Sequence, residues 1–225
     1  MTYQDLKIVY EDNHILVVVK PYDVPVQADE SGDADMLTLL KQYLVEKYNK
    51  PGDAYLGLVH RLDRPTGGVM VFAKTSKAAS RLSEQVRNKA FKKTYKAVIH
   101  GNMKKSEDNL CDYLYKDKRA NMVSVVNKNH KDAKDARLSY KTLASNKGFS
   151  LVEVDLKTGR PHQIRVQFSS RNHPLYGDQR YGKNVNKKGQ QIALWSYKIE
   201  IEHPTKKEKM EFICEPPNEY PWNIF

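Results

Sequence analysis

His60-Arg61-Leu62-Asp63-Arg64-Pro65-Thr66-Gly67-Gly68 runs directly into Val69-Met70-Val71-Phe72-Ala73. The polar half, with its proline and paired glycines, reads as a tight loop that can bring backbone close to a ligand. The apolar half reads as a buried strand. Residues 76–89 follow with Ala79, Leu82 and Val86 at helical spacing. Upstream, residues 7–19 give a strand, a turn at Glu11-Asp12-Asn13 and a second strand. Residues 35–48 form a helix for which Asp33 or Asp35 is available as a cap. Downstream, strands are expected over 92–100, 109–115, 121–126, 136–144 and 149–156, and a closing pair over 191–202 and 208–214. Pro161 is placed to begin a short helix reaching about Arg171. Strands that follow one another without helical crossovers predict an α+β fold: a central, mixed but mostly antiparallel sheet flanked by helices and loops. A single domain over residues 1–225 is expected.

The bulk composition narrows the function. A mean hydropathy of −0.72 and a longest apolar run of only Ile15–Val19 leave no helical membrane span. The first residues lack the layout of a secretion signal, and Cys111 and Cys214 are two lone thiols, so a cytoplasmic protein is expected. The net charge is +11, unevenly spread: residues 1–59 hold 5 basic and 10 acidic side chains, a net of −5, which leaves +16 for the rest. A basic field of that size attracts polyanions, and nucleic acid is the natural partner.

Three segments could carry chemistry. In the first, Asp63 lies between Arg61 and Arg64, which favour its ionised form. The same residues also fit a structural turn whose aspartate caps a backbone N–H, and local chemistry leaves both readings open. The second is Phe91-Lys92-Lys93-Thr94-Tyr95-Lys96-Ala97, where alternation puts Lys92, Thr94 and Lys96 on one strand face and Lys93, Tyr95 and Ala97 on the other. Tyr95 could stack on a base, move a proton, or simply pack at the core edge. The third is Thr158-Gly159-Arg160-Pro161-His162-Gln163-Ile164-Arg165. Arg165 falls near the positive N-terminal end of the expected helix and is easier to understand if a carboxylate holds it. Ile164 and Phe168, four apart, would anchor that helix to the core. Arg160 and Arg165 could equally be solvated or bind phosphate. His130 and His203 are expected at the surface, His14 and His100 at strand ends. No P-loop, Rossmann glycine pattern or zinc-type cluster occurs, so no nucleotide cofactor or metal is implied.

Together, in this order, these segments resemble the RluA-type family of RNA pseudouridine synthases. His60-Arg61-Leu62-Asp63 with Thr66 and Gly68 resembles the family's catalytic-aspartate motif, Lys93-Thr94-Tyr95 its tyrosine motif, and Gly159-Arg160 with His162-Gln163-Ile164-Arg165 its third motif. The likeness extends to Tyr10-Glu11-Asp12, Lys20-Pro21, His173-Pro174, Gly177-Asp178, Tyr181-Gly182 and His203-Pro204. The chain departs from it at Gly67, where Ser is frequent, at Gln167, where His is common, and at Trp195-Ser196, where a His-Ala pair is usual. Too few residues precede Lys7 for the small S4 RNA-binding domain of some relatives, so a stand-alone catalytic domain is expected.

The resemblance also implies the reaction. The N-glycosidic bond of a uridine breaks, the uracil turns, and its C5 joins the ribose C1′, with no cofactor. It assigns Asp63 as the essential carboxylate, pairs Arg165 with it, and lays Tyr95 against the target uracil. His60, Arg61, Arg64, Thr66, Arg160, His162, Gln163 and Ile164 would contact substrate. The base must be flipped out of folded RNA, at a cost of about a few kcal/mol, and Arg61 is the candidate to fill the vacated stack. The implied partner is ribosomal or transfer RNA, with the protein a monomer needing no protein partner and no membrane. The competing reading is a non-catalytic RNA-binding or ribosome-assembly protein on the same fold. A hydrolase lacks a recognisable second acid for Asp63, although Glu84, Asp155 and Asp178 are available.

Overall fold

The β-branched run ending at Lys20 forms one arm of an N-terminal hairpin in the computed structural model, which describes Met1–Phe225. In chain order the elements are β1 (Lys7–Glu11), β2 (Ile15–Lys20), α1 (Met36–Lys47), β3 (Gly57–Leu58), β4 (Gly67–Ala73) and α2 (Ser76–Arg87). They continue as β5 (Lys92–His100), β6 (Glu107–Asp117), β7 (Met122–Val126), β8 (Lys134–Asn146), β9 (Phe149–Leu156), α3 (Gln163–Ser169), β10 (Leu194–Glu202) and β11 (Lys209–Ile213). The chain forms two compact units, Met1–Lys92 with Ser196–Glu215 and Lys93–Trp195 with Pro216–Phe225. No helix is long and apolar enough to cross a membrane.

In the first unit β1 pairs with β2, β2 with β4, β3 with β4 and β10 with β11, each antiparallel. Asp12 turns the β1–β2 hairpin: its Oδ1 accepts the amides of His14 (2.8 Å) and Ile15 (2.9 Å). Ile15, Val17, Val69 and Val71 share a core with Ala78 and Leu82 of α2 and with Phe91. Leu16, Val18, Met70 and Phe72, which alternate with them, are buried as well. Both faces of β2 and β4 are therefore covered, which is why their sequences run apolar without alternation. Each such side chain contributes about 1.5–3 kcal/mol on burial. Thr75 caps α2 by accepting the Ala78 amide (3.1 Å). Asp35, not Asp33, caps α1 through the Thr38 amide (3.1 Å).

One histidine corrects the sequence reading. His203 is buried, not at the surface: its Nε2 lies 2.8 Å from Asp12 Oδ2, and its Nδ1 accepts the amides of Thr205 and Lys206. The lysines that follow it are exposed while the ring turns inward to hold the loop before β11. His130 is exposed, His14 precedes β2 and His100 ends β5, as expected.

The second unit is built on antiparallel pairings of β5 with β9, β9 with β8, β8 with β6 and β6 with β7. β6 and β8 run two residues further at each end than their apolar pattern suggests, because ladder hydrogen bonds carry the pairing into polar sequence. Val166 of α3 packs with Leu114, Val123 and Ala136, and Ile164 and Phe168 are buried, so α3 is anchored as its spacing predicts. Its boundaries differ from the expectation. His162 adopts a left-handed conformation (φ 51°), which a right-handed helix cannot include. Pro161 therefore sits in the preceding turn, and α3 spans only Gln163–Ser169.

Candidate active site

The loop carrying Asp63 is tied at its base. Thr66 donates its amide to the Asp63 carbonyl (2.9 Å), closing the turn that feeds β4. Lys20, which pairs with Gly68 across β2 and β4, turns its side chain beneath this loop and is 0% exposed. Its Nζ donates to the carbonyls of Pro21 (2.9 Å), Arg64 (2.8 Å) and Thr66 (2.8 Å). Burial pushes its pKa down to about 7, while the carboxylates of Asp23 and Asp63 pull it back up. Three carbonyl acceptors match the three donors of an ammonium, so the cage fits the charged form. Gly68 has φ 117°, and a Cβ there would lie 2.5 Å from the Ser196 amide nitrogen, so only glycine lets the strand pass. Ser196 Oγ in turn donates to the Val69 carbonyl (2.9 Å).

Around this turn the predicted contact residues take different places. Arg61 is exposed and Asp63 half-buried. Arg64 folds back on the 23–33 segment: it pairs with Asp33 and Asp29 and donates to the Asp23 carbonyl (3.1 Å) and Ser31 Oγ (2.9 Å). His60 is buried, its Nε2 accepting the Val71 amide (3.0 Å) and its ring 5.0 Å from that of Phe91. Thr66 is buried in the turn.

The second unit brings together the other two segments. Tyr95 is on β5 opposite Val154 and only 5% exposed, and Ala97 on its face is buried, so the expected alternation holds. Burial pushes the pKa of neighbouring Lys93 down. A Cβ on Gly159 would lie 3.3 Å from Lys93 Nζ, which places the start of β5 beside the 158–160 turn. Gln163 braces that turn: its Oε1 accepts Thr158 Oγ1 (2.7 Å) and the Arg160 amide (3.0 Å), and its Nε2 donates to the Arg137 carbonyl (3.1 Å). Arg160 Nε donates to the Asp135 carbonyl (2.8 Å).

Arg165, in the first turn of α3, is only 6% exposed and is held by a carboxylate, as its position demands. One partner is Asp178, 1% exposed, through Nε–Oδ2 and Nη2–Oδ1 contacts of 2.8 Å each. Burial raises the Asp178 pKa, but the Arg165 guanidinium and the amides of Tyr181 and Arg180 outweigh that and hold it low. The Tyr181 ring lies 5.2 Å from the guanidinium carbon, and its hydroxyl is 2.7 Å from His162 Nδ1. Gln167, where the family pattern has His, is wholly buried and donates to Asp112 Oδ2 (2.7 Å).

Sequence reasoning missed Lys20 and Asp178 as members of these constellations. Lys20-Pro21 and Gly177-Asp178 were visible as parts of the resemblance, but their partners are 44 and 13 residues away, and no spacing rule links them. No group of three or more His, Cys, Asp or Glu is placed to hold a metal ion.

The family model for RNA pseudouridylate synthases matches residues 14–170, a span that includes the Asp63, Tyr95 and Arg165 segments. The chain belongs to that family. Among its relatives is the Bacillus subtilis "Uncharacterized RNA pseudouridine synthase YhcT", 34% identical over 92% of this chain and 67% of that protein. Another is the Buchnera aphidicola "Ribosomal large subunit pseudouridine synthase C", 31% identical over 91% of this chain and 65% of that protein. The chain thus spans about two thirds of the length of these relatives. The solved structure of "Human RNA Pseudouridylate Synthase Domain Containing 1" superposes with a TM-score of 0.78, at 24% identity and covering 99% of this chain and 87% of that one. That likeness establishes the α+β pseudouridylate synthase fold. As an RNA pseudouridylate synthase, the chain is an isomerase that converts uridine to pseudouridine and takes RNA as substrate.

Proposed function

We propose that this pseudouridylate synthase modifies uridines of large-subunit ribosomal RNA, with Asp63 as its reacting carboxylate. The substrate class rests on relatives named for that RNA, such as the Buchnera protein. The observation that carries the assignment of Asp63 is the Lys20 cage: a buried ammonium spends its donors on the backbone of the turn that presents this aspartate. A structural turn with a capping aspartate needs no such support, whereas a reacting group must be held in place. Asp63 accepts the task of breaking the N1–C1′ bond. Arg165 supplies a fixed positive charge. Tyr95, which is buried on β5, takes the proton that C5 loses while N1 gains one. The exposed Arg61 fills the stack that the flipped nucleotide leaves.

The test is tritium release from ribosomal RNA labelled at uridine C5, taken from cells lacking the gene. Wild type should release tritium and Asp63→Asn should not. Retention of full activity by the variant would sink the assignment. Tight RNA binding without release on any RNA would favour the binding-only reading. Arg61→Ala should lower activity at subsaturating RNA with little change in thermal stability, and equal activity would remove Arg61 from the flipping step.

A further inference from the structure

Arg165 is buried next to a helix N-terminus, an unfavourable place for a cation on two counts. The fold meets this cost with a dedicated support. Asp178 takes one edge of the guanidinium side-on through Nε and Nη2, and Tyr181 lies against its face. The support is itself fixed. Asp178 Oδ1 accepts the amides of Arg180 (2.9 Å) and Tyr181 (3.0 Å). Gly177 has φ 75°, and a Cβ there would lie 2.1 Å from the Gln191 carbonyl oxygen. Asn186 Oδ1 accepts the Gly177 amide (2.7 Å), and its Nδ2 donates to the carbonyls of Leu175 and Gly182 (3.0 Å each). Tyr181 is tied by its carbonyl to Ser169 Oγ (2.6 Å) and by its hydroxyl to the Val123 amide (2.9 Å).

A buried ion pair is a poor way to gain stability, because apolar side chains of similar size commonly do as well or better. What this arrangement supplies is direction: a side-on pair on one edge of a planar guanidinium fixes where the opposite edge points. From this we infer that Asp178 is a positioning residue for the isomerisation, acting through Arg165, and this rests on the reading above that Arg165 serves the reaction. Asp178 touches no reacting atom. It sets the rotamer of the cation and keeps it in place while the uracil turns.

The experiment is a double-mutant cycle on the full chain with C5-tritiated ribosomal RNA, reading kcat, KM and thermal stability for Asp178→Asn, Arg165→Met and the pair. Asparagine keeps the shape but turns an amide donor toward the guanidinium. It should lower kcat about 10- to 100-fold and leave KM within about threefold. The double variant should be no slower than Arg165→Met. Wild-type kcat for Asp178→Asn beside a slow Arg165→Met would overturn the positioning role and leave the reading of Arg165 standing. Wild-type kcat for Arg165→Met would overturn both. Additive losses would show that Asp178 acts independently of Arg165, which also overturns the inference. If Asp178→Asn does not fold, Asp178→Glu keeps the charge but displaces the guanidinium by a methylene. It should lower kcat at unchanged KM, and a purely structural role predicts a lower melting temperature with unchanged kcat.

Discussion

The two units carry their charge in opposite ways. Met1–Lys92 with Ser196–Glu215, the unit holding Asp63, has 17 Lys and Arg against 17 Asp and Glu and is neutral. Lys93–Trp195 with Pro216–Phe225, the unit holding Tyr95 and Arg165, has 21 against 10 and carries the whole +11. The key ions are supported differently too. Under Asp63, a buried lysine spends its charge on backbone carbonyls and so fixes a loop. Around Arg165, a buried carboxylate spends its charge on a side chain and so fixes a direction. The difference teaches that attraction of a polyanion and placement of the proposed reacting carboxylate are separable here. One is a field summed over many exposed cations, and the other is local geometry.

The largest effect that could break this comparison is at Asp63 itself. Asp63→Asn should cost about 10²–10⁴-fold in tritium release while RNA binding, which the summed field of the basic unit should dominate, stays within about twofold by filter binding. A parallel loss of binding would mean that the Asp63 carboxylate itself helps to hold RNA, and attraction and placement would not be separable. Next comes the cage. Lys20→Met leaves three carbonyls without their donor and should lower unfolding free energy by about 1–3 kcal/mol, read by urea denaturation. A change below about 0.5 kcal/mol would show that the cage does not hold the loop.

The neutral unit should also be acid-sensitive through Glu11. Burial pushes this carboxyl's pKa up, but hydrogen bonds from Lys47, Lys74, Tyr48 and Tyr43 more than reverse that and bring it down to about 2. A depressed folded-state pKa gives stability that is present above the unfolded value near 4.5 and is lost as pH falls toward 2. Its size is about 3 kcal/mol. Glu11→Gln should flatten the wild-type stability curve between those pH values, and an unchanged slope would assign the acid loss to other groups.

The smallest effect sharpens the charge contrast directly. Replacing the exposed Lys128, Lys131 and Lys134 of the basic unit by Ala should weaken RNA binding and reduce the slope of log K against log salt by up to about 2. The same change at the exposed Lys206, Lys207 and Lys209 of the neutral unit should leave the slope as it was. Equal effects from both sets would dissolve the distinction.

Much of the fold was legible beforehand. Apolar runs and caps located β2, β4, α1 and α2, because local periodicity and backbone capping are short-range. The three motifs named Asp63, Tyr95 and Arg165, and the need of a cation at a helix N-terminus for a carboxylate was foreseeable from the dipole alone. The same local logic misplaced the start of α3, since the left-handed turn at His162 depends on what its ring and neighbours meet, including Tyr181. It misplaced His203 as well, whose partner Asp12 lies 191 residues away.

The amino-acid sequence by itself therefore determined the element types, the basic field and the residues fit for chemistry, because composition, period and charge are properties of the chain at short range. Only the tertiary structure decided that Asp178 holds Arg165, that Lys20 supports the Asp63 turn, and that all the net charge falls in one unit. Those depend on contacts between distant positions, where burial makes each unpaired polar group costly and so selects one partner among many.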